Sequence, residues 1–284
     1  MQSAEGSRHR GLATLNLVGG GRVAQTLARL WHVHSEFVIQ DVLTTSFASA
    51  QAACSVISAG NPVKSLGAMR PADFWMLAVP DARLAQSALA LAATAPMGTP
   101  IVFHCSGAQG AVTLEPLAAL GWHTASAHCI LSFASVPAAL AQFPGTPCAL
   151  EGDASACDGL RVPFTAIGAR CFDLAAKDKL LYHAAAVFAT NFLPVLQSTA
   201  EDLWRTTGMP PEWIAHLRAS LLRNAVDNIT ALGPQAALTG PAARGDTAAI
   251  TRQGAAVAAW DAQTGVAYDA LSELALRLAR RPQD

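Results

Sequence analysis

Lys179, His183 and Asn191 interrupt a helical stretch that is otherwise small and apolar. A helix of that composition is buried, and the polar side chains within it must be paired or put to use. Lys179 and His183 stand one turn apart on one face. Asn191 lies about 80° round from His183 and about 12 Å further along the axis, so the three line one groove without gripping one atom. An imidazole titrates near neutral pH, which suits His183 to protonating a carbonyl or imine as it is reduced.

Three further clusters carry usable chemistry. His104-Cys105-Ser106-Gly107-Ala108 follows an apolar strand, where Ser106 and the Gly107 amide are placed to hold a ribose or a substrate oxygen. The alternative is a small-residue turn with His104 buried and satisfied. His128, in Ser126-Ala127-His128-Cys129, also ends a strand and reads either as a group facing the cleft or as a hydrogen-bonded structural histidine. Thr239-Gly240-Pro241-Ala242-Ala243-Arg244-Gly245-Asp246 is a shaped loop in which Asp246 caps the next helix and Arg244 can clamp a substrate carboxylate. An ordinary loop with an exposed arginine is the other reading.

These clusters need a scaffold, and the opening run Leu15-Asn16-Leu17-Val18-Gly19-Gly20-Gly21-Arg22-Val23-Ala24 supplies its signature. An apolar strand meets a G-x-G-x-x-A turn and then a helical pattern. Gly19 makes the turn, Gly21 lets the backbone approach a pyrophosphate, and Ala24 lets the helix pack closely on the strand. The backbone from Gly19 through Gly20, Arg22 and Val23 thereby faces the phosphates of a dinucleotide. A second strand, Phe37 to Leu43, arrives at the spacing of a βαβ unit, and strands at Asp73 to Val79, Pro100 to His104, Trp122 to Ala127 and Pro147 to Leu150 alternate with helices. After Arg161 one more strand, Arg170 to Leu174, precedes helical periodicity over Lys177 to Thr206, Pro211 to Leu232, Thr247 to Ala262 and Gly265 to Arg280. The expectation is an α/β chain: an N-terminal Rossmann domain with a mostly parallel sheet over 11–160, then an all-α domain over 161–284 for substrate binding and dimerisation.

The chain has 284 residues, 52% of them hydrophobic and only 14% charged, so much surface is buried and a subunit interface is expected. A net charge of -1 with no basic stripe excludes an electrostatic footprint for nucleic acid. No helix pairs a basic face with an apolar one, and Leu180 to Val195, broken by Tyr182, His183, Asn191 and Pro194, is too short for a membrane span. Met1 to Arg10 has no apolar core and reads as a frayed tail rather than a signal peptide. Six cysteines without C-x-x-C or zinc spacing point to reduced thiols in the cytoplasm and to no metal site.

Taken in order, the glycine turn, Ala78-Val79-Pro80-Asp81, His104-Cys105-Ser106-Gly107-Ala108, Tyr182-His183-Ala184-Ala185-Ala186 with Asn191, and Gly240-Pro241 followed by Arg244-Gly245-Asp246 resemble the Rossmann-like proteins that carry the C-terminal domain of unknown function 2520. The resemblance covers the chain from about Leu12 onward. That family looks like a branch of the group of pyrroline-carboxylate reductase, ketopantoate reductase, the 6-phosphogluconate dehydrogenases and the deazaflavin-dependent NADP reductases. It implies an NADP-dependent oxidoreductase, commonly a dimer through its helical domain, with Val79 and Pro80 beside the cofactor. Two positions depart from the pattern. Where the family has an arginine among serines to hold the 2′-phosphate, this chain has Thr44-Thr45-Ser46, whose hydroxyls can bind phosphate, so that NAD stays possible. Where the family has His-Pro, it has His128-Cys129.

The leading expectation is hydride transfer between NADP and a small keto, imino or hydroxy acid, with His183, Asn191, Lys179 and His128 as catalytic candidates and Arg244 and His128 on the substrate. A non-catalytic dinucleotide-binding sensor or scaffold is the alternative, and a site for another nucleotide-derived ligand such as S-adenosylmethionine the third.

Overall fold

The computed structural model describes residues 11–94 and 98–282, so the expectation for Met1 to Arg10 lies outside the described residues. Contacts divide the chain into two compact units, Met1–Asn191 and Phe192–Asp284.

The first unit is built on one sheet. Its strands are β1 (Ala13–Val18), β2 (Phe37–Leu43), β3 (Asn61–Val63), β4 (Phe74–Leu77), β5 (Ile101–His104), β6 (His123–Cys129), β7 (Pro147–Gly152) and β8 (Arg170–Asp173), in spatial order β3-β2-β1-β4-β5-β6-β7-β8. Every neighbouring pair is parallel except β6 with β7. The chain leaves β1 toward β2 on one side and returns to β4 on the other, which makes the carboxyl end of β1 the topological switch point where α/β sheets open a crevice.

Helices α1 (Arg22–Val33), α2 (Phe47–Ile57), α3 (Asp81–Ala93), α4 (Glu115–Ala118), α5 (Val136–Gln142), α6 (Ala154–Ala166) and α7 (Lys179–Ala186) connect or follow the strands. Parallel strands bury both faces, and alternation distributes their side chains between two cores. Met76 and Phe103 enter one core with Leu15, Leu17, Trp31 and Phe164, whereas Trp75, Leu77 and Val102 enter the other with Leu84, Leu91 and Trp122. Trp31 meets Phe37, Phe103 and Phe164 edge-on, and its indole N–H donates to the Pro163 carbonyl at 3.0 Å. Asn16 is the buried polar residue of β1. It is fully buried, and its amide donates to the Arg70 carbonyl while its oxygen accepts from the Asp41 N–H.

One feature differs from expectation, and two others complete the first unit. Asn61–Val63, expected as a connection, pairs with β2 as an edge strand, which tolerates Pro62 because an edge needs fewer ladder bonds. β7 runs antiparallel to β6. By contact the first unit continues past residue 160, because β8 pairs with β7 and α7 is tied to the sheet by Lys179 and Tyr182.

The second unit is helical: α8 (Phe192–Thr206), α9 (Pro211–Ala236), α10 (Gly240–Arg244), α11 (Thr247–Trp260) and α12 (Ala262–Ala279). Gly233, with φ of 75°, kinks α9 just before Pro234. Asp246 and Asp261 cap α11 and α12, accepting from Ala249 N and Thr264 N at 2.9 and 2.7 Å. Between α7 and α8 the helix widens into a π-turn over Val187–Asn191. The stretch Ala176–Thr206 is, by length and composition, long and apolar enough to cross a membrane. Its Lys179 and Tyr182 are nevertheless hydrogen-bonded into the sheet.

Candidate active site

The glycine turn sits at the carboxyl end of β1, and its three glycines serve different needs. Gly19 has φ of +106°, and a Cβ there would run into the Ala78 carbonyl, because the turn is pinned between β2 and β4 by Gly19 N to Leu43 O at 2.8 Å and Ala78 N to Val18 O at 2.7 Å. A Cβ on Gly20 would meet Thr44 Cγ2 at 2.7 Å and Ala53 Cβ at 3.0 Å. Over Gly21 there is open space: no atom lies within 4 Å of an added Cβ. Gly21 is also the N-cap of α1, with no side-chain cap and no acidic residue in the first turn. The leading amides of α1 therefore remain available to an anion, and the turn fits the pyrophosphate of a dinucleotide. Arg22 turns away from this opening, its guanidinium donating to the carbonyls of Phe133 and Ala134 at 3.3 and 2.7 Å. Only its backbone stays with the turn. Val23 lines a small cavity with Leu27, Cys105, His128, Cys129, Leu131 and Phe133, which joins the start of α1 to the end of β6.

After β2 the hydroxyls are partly engaged. Thr44 Oγ1 donates to Ser46 O at 2.7 Å, and Ser46 Oγ caps α2 by accepting from Ser49 N at 3.1 Å, while Thr45 is exposed. Asp41 lies at the distance along the chain where a ribose-binding carboxylate is expected in this fold. It is buried and taken up by Arg70, whose guanidinium is 2.7 Å away and whose backbone N–H also donates to it. Burial pushes this carboxyl up, but the bonds from Arg70 and Asn61 outweigh it and hold the group below its ordinary value.

Val79 and Pro80 lead from β4 into α3, with Asp81 in the first turn. Beyond β5, His104 is fully buried and both ring nitrogens are used: Nε2 donates to Gly110 O at 3.1 Å, and Nδ1 accepts from Ser106 N at 3.2 Å. Burial, helped by the charge of Lys179, pushes His104 down to about 4 against the pull of the Gly110 carbonyl. Of the two readings of this residue, the geometry matches the structural one. Ser106 Oγ donates to Asp81 at 2.8 Å and accepts from the amides of Ala108 and Gln109, which completes the turn.

That turn presents Gly107 to two histidines. A Cβ on Gly107 would strike His183 Nδ1 and come within 2.8 Å of His128 Nε2, so only glycine fits here. The two imidazoles meet edge-on, with centroids 5.6 Å apart. His128 Nδ1 is 2.9 Å from the Tyr182 hydroxyl, whereas His183 Nδ1 is buried without any hydrogen-bond partner. Burial, with the charges of Lys179 and His183 adding to it, pushes His128 down to about 4 and so keeps it neutral near pH 7.

Lys179 does not face this opening. It is 2% exposed, and its ammonium donates to Ser126 Oγ at 2.6 Å and lies 4.0 Å from Glu151. Ser126 reaches on toward Ser106 O at 3.4 Å, and Glu151 accepts from Ala111 N at 2.8 Å. Burial lowers the Lys179 pKa, with Glu151 opposing. Lys179 thus ties α7 to β6 and β7, and its charge helps to lower the pKa of His104 and His128.

Sequence reasoning placed Tyr182 and Ser126 in motifs without giving either a role, and it passed over Glu151. The last had one signal, being the only charged residue of β7. Asn191 is exposed at the end of the π-turn, its oxygen accepting from Thr190 at 3.0 Å, and is not brought onto the histidine pair. Arg244 lies exposed in the last turn of α10, between Gly240 and Gly245, both at positive φ.

Comparison with known proteins follows the two parts of the chain. A family model described as Rossmann-like domain matches residues 3–129, and one described as a domain of unknown function, DUF2520, matches residues 146–275. No curated protein matches the sequence. Among solved structures, protein TM1727 from Thermotoga maritima is 24% identical, with a TM-score of 0.73 over 94% of this chain and 98% of that one. Protein BF3122 from Bacteroides fragilis, provisionally named an NADP oxidoreductase, is 20% identical with a TM-score of 0.75, over 94% and 99% of the two chains. A reductive aminase from Aspergillus terreus in complex with NADPH is 15% identical, with a TM-score of 0.65 over 96% of each.

Proposed function

Because this chain is a Rossmann-like protein with a C-terminal DUF2520 domain, we propose that it is an NADP-dependent oxidoreductase interconverting a small keto or imino acid with its hydroxy or amino form. The observation that carries this reading is the pair His128 and His183 beside Gly107, with His183 Nδ1 buried and unpartnered and His128 in the same small cavity as Val23 of the glycine-turn helix. A buried polar atom without a partner costs about 1–3 kcal/mol, and a reacting group that bonds to it repays that cost. The names of the similar structures, which include an NADPH complex and an imine reductase with NAD+, support the same class.

When bound, the dinucleotide supplies or accepts the hydride. The chain's own residues do the rest. The α1 amides and the opening over Gly21 receive the pyrophosphate. His183 holds or releases the proton at Nδ1, and neutral His128 orients the reacting heteroatom. Asp41, held by Arg70, presents no free carboxylate against a 2′-phosphate, so the hydroxyls of Thr44, Thr45 and Ser46 favour NADP over NAD by a modest margin.

Titration with NADPH is expected to quench tryptophan emission by energy transfer, with Trp31 on α1 as a nearby donor. Thr45→Arg is expected to widen the preference for NADP over NAD. Turnover against a panel of 2-keto and imino acids then separates an enzyme from a sensor. Absence of any NADPH or NADH binding would sink the reading, and binding without turnover would leave the sensor.

The protein is further proposed to act as a cytoplasmic homodimer through its helical unit. The six free thiols suit a reducing compartment. Among the described residues of the second unit only Ile214, Gly254 and Gly265 are buried, while α9 leaves Leu221, Val226, Ile229 and Leu232 about half exposed. A helix with that much apolar surface needs a partner, and a second copy supplies the same surface in return. Sedimentation at micromolar concentration is expected to give twice the chain mass; a monomer would contradict it.

A further inference from the structure

The half-buried phenol of Tyr182 has its proton to place, and the distances decide where. His128 Nδ1 is 2.9 Å away, whereas the His128 carbonyl is at 3.4 Å, beyond the range of a good O–H···O bond. The phenol therefore donates to Nδ1. A neutral imidazole has one proton, so His128 carries it on Nε2. That nitrogen and His183 Nδ1 lie on the same side of Gly107, and His183 Nδ1 is the one of the two that has no partner within the protein and so is open to pair as an acceptor.

We infer that Tyr182 is a positioning residue that locks His128 in the Nε2–H form, so that His128 donates and His183 accepts at one point beside Gly107, and that the group bound there is a single hydroxyl or amine nitrogen on the carbon that exchanges hydride. This rests on the oxidoreductase reading. In the oxidative direction the hydride leaves carbon for the dinucleotide, the O–H or N–H proton moves to His183 Nδ1, and the carbonyl or imine that remains accepts from His128 Nε2–H. Reduction reverses each movement, with the proton returning from His183. A donor and an acceptor set side by side select a heteroatom that both takes and gives a hydrogen bond, and they disfavour an ether or ester oxygen, which would leave the acceptor unpaired.

The test reads protons directly. Protein labelled with ¹⁵N-histidine, with signals assigned by the loss of one ring in His128→Gln and in His183→Gln, gives the tautomer of each imidazole. The expected wild-type result is His128 protonated on Nε2 and His183 with an unprotonated Nδ1. Tyr182→Phe is expected to lose the fixed Nε2–H state of His128, which a merely space-filling tyrosine would not alter. His128 protonated on Nδ1 in the wild type would overturn the inference, as would a proton on His183 Nδ1 in the neutral protein, and neither depends on Tyr182→Phe folding. NADPH binding measured on the same sample keeps the two readings apart. Binding with the wrong tautomer overturns only the pairing, whereas the right tautomer without binding overturns the oxidoreductase reading and leaves the hydrogen-bond pattern standing.

Discussion

Alanine in place of His183 is expected to lower turnover by roughly a hundredfold or more, the scale of a lost general acid, while leaving dinucleotide affinity nearly unchanged. The ring's Nδ1 is buried and makes no internal hydrogen bond, so its removal breaks none and relieves an unpaired polar atom. Stability should therefore hold. A histidine of purely structural purpose behaves in the opposite way: its alanine variant melts earlier, and the folded fraction turns over normally. Turnover per folded molecule, measured beside the melting temperature, separates the two, and normal turnover would remove His183 from the mechanism.

Aspartate at Gly21 should abolish binding of both NADP and NAD with the fold intact. The three glycines differ in what a side chain would meet, and only Gly21 faces open space. At Gly19 the new atom collides with the Ala78 carbonyl, and at Gly20 with Thr44 and Ala53, so variants there confound folding with binding. A carboxylate at the N-terminus of α1 is moreover favourable by about 0.3–1 kcal/mol in the free protein. The melting temperature should stay level or rise as affinity disappears. Calorimetry showing wild-type affinity for either dinucleotide would mean that the pyrophosphate lies elsewhere.

Much of the scaffold is legible along the chain because its signals are local. β2 spans Phe37–Leu43 as its β-branched run implies, and the strand-glycine-helix order puts the turn at the switch point. What escapes reading depends on long-range pairing or on rules broken locally. β7 follows a short helix, and nothing in Pro147-Cys148-Ala149-Leu150 tells which way it runs; the register with β6 decides that. α6 contains Gly159 and Pro163, both helix-weakening, yet it forms. A Cβ at Gly159 would strike Ile101, so the glycine lets the helix lie close on β5, and the Pro163 carbonyl serves Trp31.

The chemistry follows the same division. Residue types were readable, but their partners were not. His104 and His183 look alike in sequence, each a histidine in an apolar setting. One has both nitrogens bonded within its own turn, and the other has Nδ1 left open. Lys179 stands one turn from His183, which suggested a shared groove, but its ammonium is drawn to Ser126 and Glu151 from strands far away in the chain.

The π-turn at Val187–Asn191 has a consequence for how the chain comes apart. Before it, α7 is anchored through Lys179 and Tyr182; after it, α8 has no buried residue among those described. The chain thus passes from one compact unit to the next at a widened helical turn instead of a loop. Fraying that starts in α8 is expected to halt at the π-turn, because the residues before it are held to the sheet through Lys179 and Tyr182.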